Sequence, residues 1–212
     1  MHHSKIIRIL KCSVGAICAV LMTLSAVSCG DLPSAIFPEE TTPPRHNTII
    51  FKTRDDDYNV FEDSEYLEYD RQIYYTDGVG TTTVLDEESL KRANSAVNTL
   101  YRMIDAIIRG KDEKYNALFS PYYYKDNDPV DAFHMQPLYD VRIVYIRTAE
   151  VEEDGRTYTR YEYDVSYKIC WNDGTFRTDL GHHESRKQCF VLSDRTGSDV
   201  LIDQIIEYKY KS

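Results

Sequence analysis

The chain has 212 residues, with 25 Lys and Arg against 35 Asp and Glu, and a net charge of -10 at neutral pH. An acidic balance of this size repels phosphate backbones, so composition argues against a nucleic-acid partner. The five cysteines include no CxxC spacing, which leaves a thioredoxin-like redox role without support.

The first thirty residues carry the strongest local signal. Lys5, Arg8 and Lys11 precede an apolar run from Val14 to Val27, with no acid among them. A positive n-region followed by a short h-region reads as a secretory signal. The run falls short of the ~20 apolar residues that a membrane-spanning helix needs. It ends in Leu24-Ser25-Ala26-Val27-Ser28-Cys29-Gly30, where small residues stand before a cysteine. This resembles the bacterial lipobox, with Ala26 where Leu is more common. The resemblance implies a diacylglycerol on Cys29, cleavage before it, and residence on the extracytoplasmic face of a cell membrane. Two or more acyl chains hold a protein durably, whereas one does so only marginally.

Removing residues 1–28 takes away three basic residues and no acid, leaving 22 basic against 35 acidic residues and a net of -13. So acidic a chain lacks a polybasic grip on anionic lipid, and lipid on Cys29 must do the anchoring. Residues 29–47 hold Pro33, Pro38, Pro43 and Pro44 among Thr and Glu, the composition of an extended tether. Residues 48–85 read as an irregular acidic segment with one or two strands, one of them short at Ile49 to Phe51. Gly78 and Gly80 mark a turn.

A helix of about six turns is expected from Asp86 to Arg109. Asp86 suits the N-cap, and Glu87 and Glu88 suit the first turn. Leu90, Ala93, Val97, Leu100, Ile104 and Ile107 recur at steps of three and four, which is one apolar stripe. Gly110 suits the residue after the helix. Asp112 opens a short second helix with Tyr115, Leu118 and Phe119 on one face, ended by Pro121. A loop follows, with a helical turn expected at Asp131 to Met135.

Everything after Pro137 reads as strand. Val141 to Ala149 is β-branched and mostly apolar, and Glu152-Glu153-Asp154-Gly155 is a hairpin turn. Tyr161, Tyr163, Val165, Tyr167, Ile169 and Trp171 then alternate with polar residues, the pattern of an antiparallel strand with one face buried. Thr175 to Leu180 and Arg186 to Leu192 are strand-like, interrupted at Gly181-His182-His183. In the last strand Val200, Ile202, Ile206, Tyr208 and Tyr210 share a face.

Helices before strands point to an α+β fold: a long N-terminal helix plus a short helix, packed on a curved antiparallel sheet of about four strands. The helix ending Ile107-Ile108-Arg109-Gly110-Lys111-Asp112, then Ala117-Leu118-Phe119-Ser120 and the later strands, resemble the nuclear transport factor 2-like (cystatin-like) fold over residues 86–212. That resemblance implies a functional site in the cone between helix and sheet.

Chemistry is harder to find. By residue type, His134, Asp140, Asp164 and Tyr122, Tyr123 and Tyr124 could serve as base or oxyanion donor, but none falls in a recognisable motif, so no catalytic residue is assigned. His182-His183-Glu184 lacks a chelating spacing, since neighbours on a strand point to opposite faces. The run Asp55 to Asp70 lacks calcium-loop spacing. No metal or cofactor is expected. Cys170 and Cys189 either pair as a disulfide or stay as thiols. The sequence therefore leads to a lipid-anchored binding or scaffolding module of the cell envelope, with an envelope protein or small ligand as partner. A ketosteroid isomerase-like enzyme or carrier using the cone is the alternative.

Overall fold

A computed structural model describes residues 48–55, 57–197 and 199–208, all within one compact unit, His46–Ser212. The signal segment, Cys29 and the tether lie outside the described residues. The elements are β1 (Ile73–Thr76), β2 (Thr82–Val84), α1 (Glu87–Arg92), α2 (Ser95–Ile108), α3 (Asp112–Asn116), β3 (Leu138–Glu153), β4 (Arg156–Ile169), β5 (Gln188–Ser193) and β6 (Leu201–Glu207). They form one six-stranded sheet in the order β2-β1-β3-β4-β5-β6. This corrects the expected four-stranded antiparallel sheet. β1 and β2 belong to the segment read as irregular, and β1 runs parallel to β3, pairing Ile73 with Val141 and Thr76 with Val144. Strands of four and three residues are too short to display a period.

The single long helix is also corrected. The chain leaves the helix at Ala93 and Asn94, both extended in ψ, and starts again at Ser95. Asn94 acts as an N-cap, accepting from the Val97 N–H at 2.9 Å while its amide donates to the Tyr163 hydroxyl at 2.9 Å. Asp86 caps α1 through a reciprocal pair with Ser89. α1 buries nothing, whereas α2 buries Val97, Leu100, Met103, Ile104 and Ile107. The apolar stripe runs unbroken through the cap, which is why periodicity alone joins the two helices. After α2, Gly110 takes φ 58°. The Gly110 and Lys111 amides bond back to Ile107 and Ala106 in a Schellman arrangement. A Cβ at Gly110 would stand 2.8 Å from the Met135 nitrogen, so the glycine also lets residues 133–135 pass close beneath the helix end.

On the inner face of the sheet Ile143, Tyr163, Val165, Tyr167, Phe190 and Ile202 form the core with α2. The outer face is partly covered. Val60 and Tyr66 pack on Tyr139 and Cys170, and the buried Tyr66 hydroxyl donates to the Leu138 carbonyl at 2.7 Å. The acidic segment is thus a flap over the strands rather than a free surface.

Other expectations also change. Ile49 to Phe51 forms no strand and Asp131 to Met135 no helical turn. Thr175 to Leu180 is a closed loop because the buried Asn172 amide donates to the carbonyls of Arg177 and Leu180. A bulge opposite Val191 and Leu192 shifts the register of β6. Ile202 therefore faces the core, whereas Ile206 is exposed, and the two do not share a face. Cys170 and Cys189 are free and buried. Cys189 lies opposite Asp164. Cys170 sits six residues further along the chain of β4, roughly 20 Å at strand spacing, far outside disulfide reach.

Asn94→Ala removes the α2 cap and leaves the buried Tyr163 hydroxyl without its donor. We expect a loss of about 2 kcal/mol in urea unfolding. Asp86→Ala, at the start of a helix that buries nothing, is expected to cost about half that.

Candidate functional site

The space between α2 and the inner face of the sheet is where the resemblance implies a site. Most of it is filled. Leu100, Met103, Ile104 and Ile107 meet Tyr163, Leu192 and Ile202, all essentially fully buried. Under the C-terminal half of α2 a cleft of about 210 Å3 remains, lined by Met103, Ile107 and Phe190, with Tyr115, Tyr167 and Arg177 among the polar groups, and a second, polar groove of about 450 Å3 opens where Ser95, Asn98 and Thr99 of α2 face Val200 and Leu201. Ordinary ligand sites occupy roughly 300–1,000 Å3.

Two of the charges at the cleft, Arg177 and Asp179, are paired with each other. Arg177 grips Asp179 through two hydrogen bonds of 2.6 Å and donates to Gln188 at 2.8 Å. Arg186 donates to the same carboxylate at 2.6 Å. The hydrogen bond from Arg177 holds the Asp179 carboxyl below its ordinary pKa, so it stays ionised and a poor base. Burial pushes the Tyr115 and Tyr167 hydroxyls upward, and both remain protonated. Glu207, the other carboxylate at the cleft, accepts from Gln188 at 3.3 Å.

The residues singled out by type are scattered. Asp140 is held by Arg142 at 2.9 Å and Lys168 at 3.1 Å. Asp164 pairs with Lys187 at 3.0 Å and accepts from the Tyr208 hydroxyl. Tyr124 donates to the Asn116 carbonyl, and Tyr123 packs on Phe119. Tyr122 lies on the surface, its ring centroid 3.2 Å from the Arg195 guanidinium carbon. Together with Tyr158, Glu153 and Lys125 it lines a broad groove of about 700 Å3 whose basic and acidic groups balance.

His182 and His183 sit in a turn, not on a strand, and both rings contact Trp171. His182 Nδ1 accepts from the Asn172 N–H at 3.0 Å. Burial, then the neighbouring His183, lowers its pKa. His183 meets the Tyr139 hydroxyl at 2.9 Å. Among the described residues no group of three His, Cys, Asp or Glu side chains is arranged to hold a metal.

His134 belongs to a polar cluster that no local pattern announces. Its Nδ1 lies 3.0 Å from Asp173, which also accepts from Gln136 and Thr175. Arg54 stands 4.0 Å from Asp173, and both side chains are buried. Arg54 also donates to the carbonyls of Met135 and Trp171 and lies over the Tyr58 ring. A histidine oriented by a buried carboxylate has the outline of a base, but among the described residues the imidazole bonds only to Asp173, and the Thr175 hydroxyl beside it accepts from the His134 backbone N–H at 3.1 Å. The cluster ties three distant stretches of chain together. Asp173 falls in a segment legible only as a turn, and Arg54 in one legible only as irregular, so nothing short-range connects them. With this geometry in view, no family model, no curated protein and no solved structure matches the chain.

Burial alone would raise the Asp173 carboxyl, but hydrogen bonds from Gln136, Thr175 and His134 outweigh it and hold the pKa down. A lowered carboxylate pKa stabilises the fold above the ordinary range and is lost as pH falls through it. Asp173→Asn is expected to cost about 3 kcal/mol at pH 7 by leaving Arg54 unpaired, and to flatten the loss of stability below about pH 4. Urea titrations across pH check both. Burial pushes the Cys170 thiol up to about 11 and that of Cys189 upward. Neither should be alkylated at pH 8 in the folded protein, and both should be in urea, as read by mass spectrometry.

Proposed function

We propose that this chain is an extracytoplasmic binding module, held on a membrane by lipid on Cys29. The observation that carries the binding half is the packed interior. With the cleft under the C-terminal half of α2 reduced to about 210 Å3 and its Arg177 and Asp179 paired with each other, recognition falls to the outer surface. The anchor half is supported by the lipobox-like run Leu24 to Cys29 and by the net charge of -13 on the remaining chain, which repels anionic lipid and nucleic acid alike. Among the described residues no helix is long and apolar enough to cross a membrane.

A small-molecule carrier is the second reading. It is favoured by the Tyr115, Tyr167 and Arg177 groups at the remaining cleft. Its enzymatic form, of the ketosteroid isomerase kind, needs an unclamped base, and Asp179, held by Arg177 and Arg186, is not one.

Wild-type protein is expected to partition into detergent with the membrane fraction and to incorporate labelled fatty acid, and Cys29→Ser is expected to do neither. Wild-type label-free partitioning into the aqueous phase would overturn the anchor. Native mass spectrometry of the purified chain is expected to show no bound small molecule. Val130 also lines the cleft, and a stoichiometric ligand displaced when Val130→Phe fills it would replace the surface reading with the carrier.

A further inference from the structure

β3 is much longer than the strand beside it. β1 pairs with it only as far as Val144, whereas β3 continues to Glu153. Past Val144 it is paired only with β4 among the described residues, and β5 meets β4 only over Arg160 to Val165. Residues 148–159 therefore form a two-stranded ribbon that stands out from the sheet. A lone two-stranded ribbon is marginal in water, and its outer edge carries backbone N–H and C=O groups with no strand to pair with.

The side chains on that edge are ordered by face. Arg147, Ala149, Val151 and Glu153 share the outer face with Glu162, Arg160, Tyr158 and Arg156, their opposite numbers on β4. Arg147 is already bound to Glu162 at 2.8 Å, and Glu153 to Arg195 at 3.3 Å. The small and apolar Ala149 and Val151 are left between them. On the inner face Glu150 and Glu152 lie two residues apart, opposite Thr159 and Thr157. Both are exposed, and neither is ion-paired among the described residues.

We infer that the open edge of β3, from Ile146 to Glu153, takes up an extended segment of a partner protein in which basic and apolar residues alternate. This rests on the surface-binding reading above and gives it a partner chemistry. Strand addition satisfies the open backbone groups, and alternate side chains supply the selectivity. Basic residues on one face of the added strand meet Glu150 and Glu152, and apolar residues on the other meet Ala149 and Val151. A second copy of this chain is the poorer occupant. Its own edge would bring glutamates against glutamates on the inner face, and like charges across strands are destabilising.

The test uses the full chain in detergent and a short fluorescent peptide of alternating lysine and valine, with a glutamate–valine peptide as control. Anisotropy is expected to show binding of the lysine peptide only. Glu150→Lys with Glu152→Lys should weaken it by ~tenfold or more and admit the glutamate peptide. Hydrogen exchange is expected to slow at outward-facing amides between Ile146 and Glu153 when the lysine peptide binds. Three results would each overturn the inference: no binding, equal binding of both peptides, or binding without protection of those amides. A negative peptide result beside Cys29-dependent membrane attachment removes the edge proposal alone. A stoichiometric small molecule in the cleft removes the reading beneath it.

Discussion

β1 and β3 run in the same direction, and a parallel pair cannot be closed by a hairpin turn. The chain must cross the sheet between them, and once β2 has paired on the far side of β1 the stretch from Leu85 to Pro137 makes that crossing. The crossing places α2 on the inner face, where its stripe of Val97, Leu100, Met103, Ile104 and Ile107 finds cover. Because the stripe is long and the inner face is lined by tyrosines and branched aliphatics, the two surfaces interlock and little space survives. The narrowness of the cleft beside Met103 and Ile107 is therefore a product of the same packing that closes the parallel pair.

What was legible in the sequence follows from the range of each cause. β4 alternates over many residues and shows its faces directly. The inner positions of α2 and the caps at Asp86 and Gly110 depend on neighbours within a few residues, and they too can be read. The break at Asn94 cannot, because the residue keeps the helical period while its side chain turns back to cap and to reach Tyr163 from another element. β1 and β2 hide for the opposite reason: they have too few residues to show a period. The bulge in β6 and the closed loop at Asn172 depend on pairings that form only in three dimensions. So does the cluster of Arg54, Gln136 and Asp173. The strand geometry expected at His182 and His183 gives way to a turn for the same reason, and among the described residues that turn assembles no metal-ligand set.

The charges follow one rule in the interior and another outside. Near the core each is closed locally: Asp179 between two arginines, Asp173 among Arg54, His134 and Gln136, Glu162 between Arg147 and Arg160. Buried charges without partners would be costly, and these pairings hold each of the three carboxylates in place. Much of the remaining acidity lies on exposed positions of the ribbon and of the flap over the outer face, so surface recognition would be governed by carboxylates.

The Arg54 cluster also bears on mechanics. A pull on the chain ahead of residue 48 meets the domain first at Lys52, whose amide bonds to the Asn172 carbonyl, and then at Arg54, locked on Trp171, Met135 and Asp173. Load entering there passes into the end of β4, a central strand, and not into β2 at the sheet margin. A peripheral strand would peel away bond by bond under tension. Here the contacts of Lys52 and Arg54 lie ahead of every strand in the chain, so a pull from the N-terminal side loads them first.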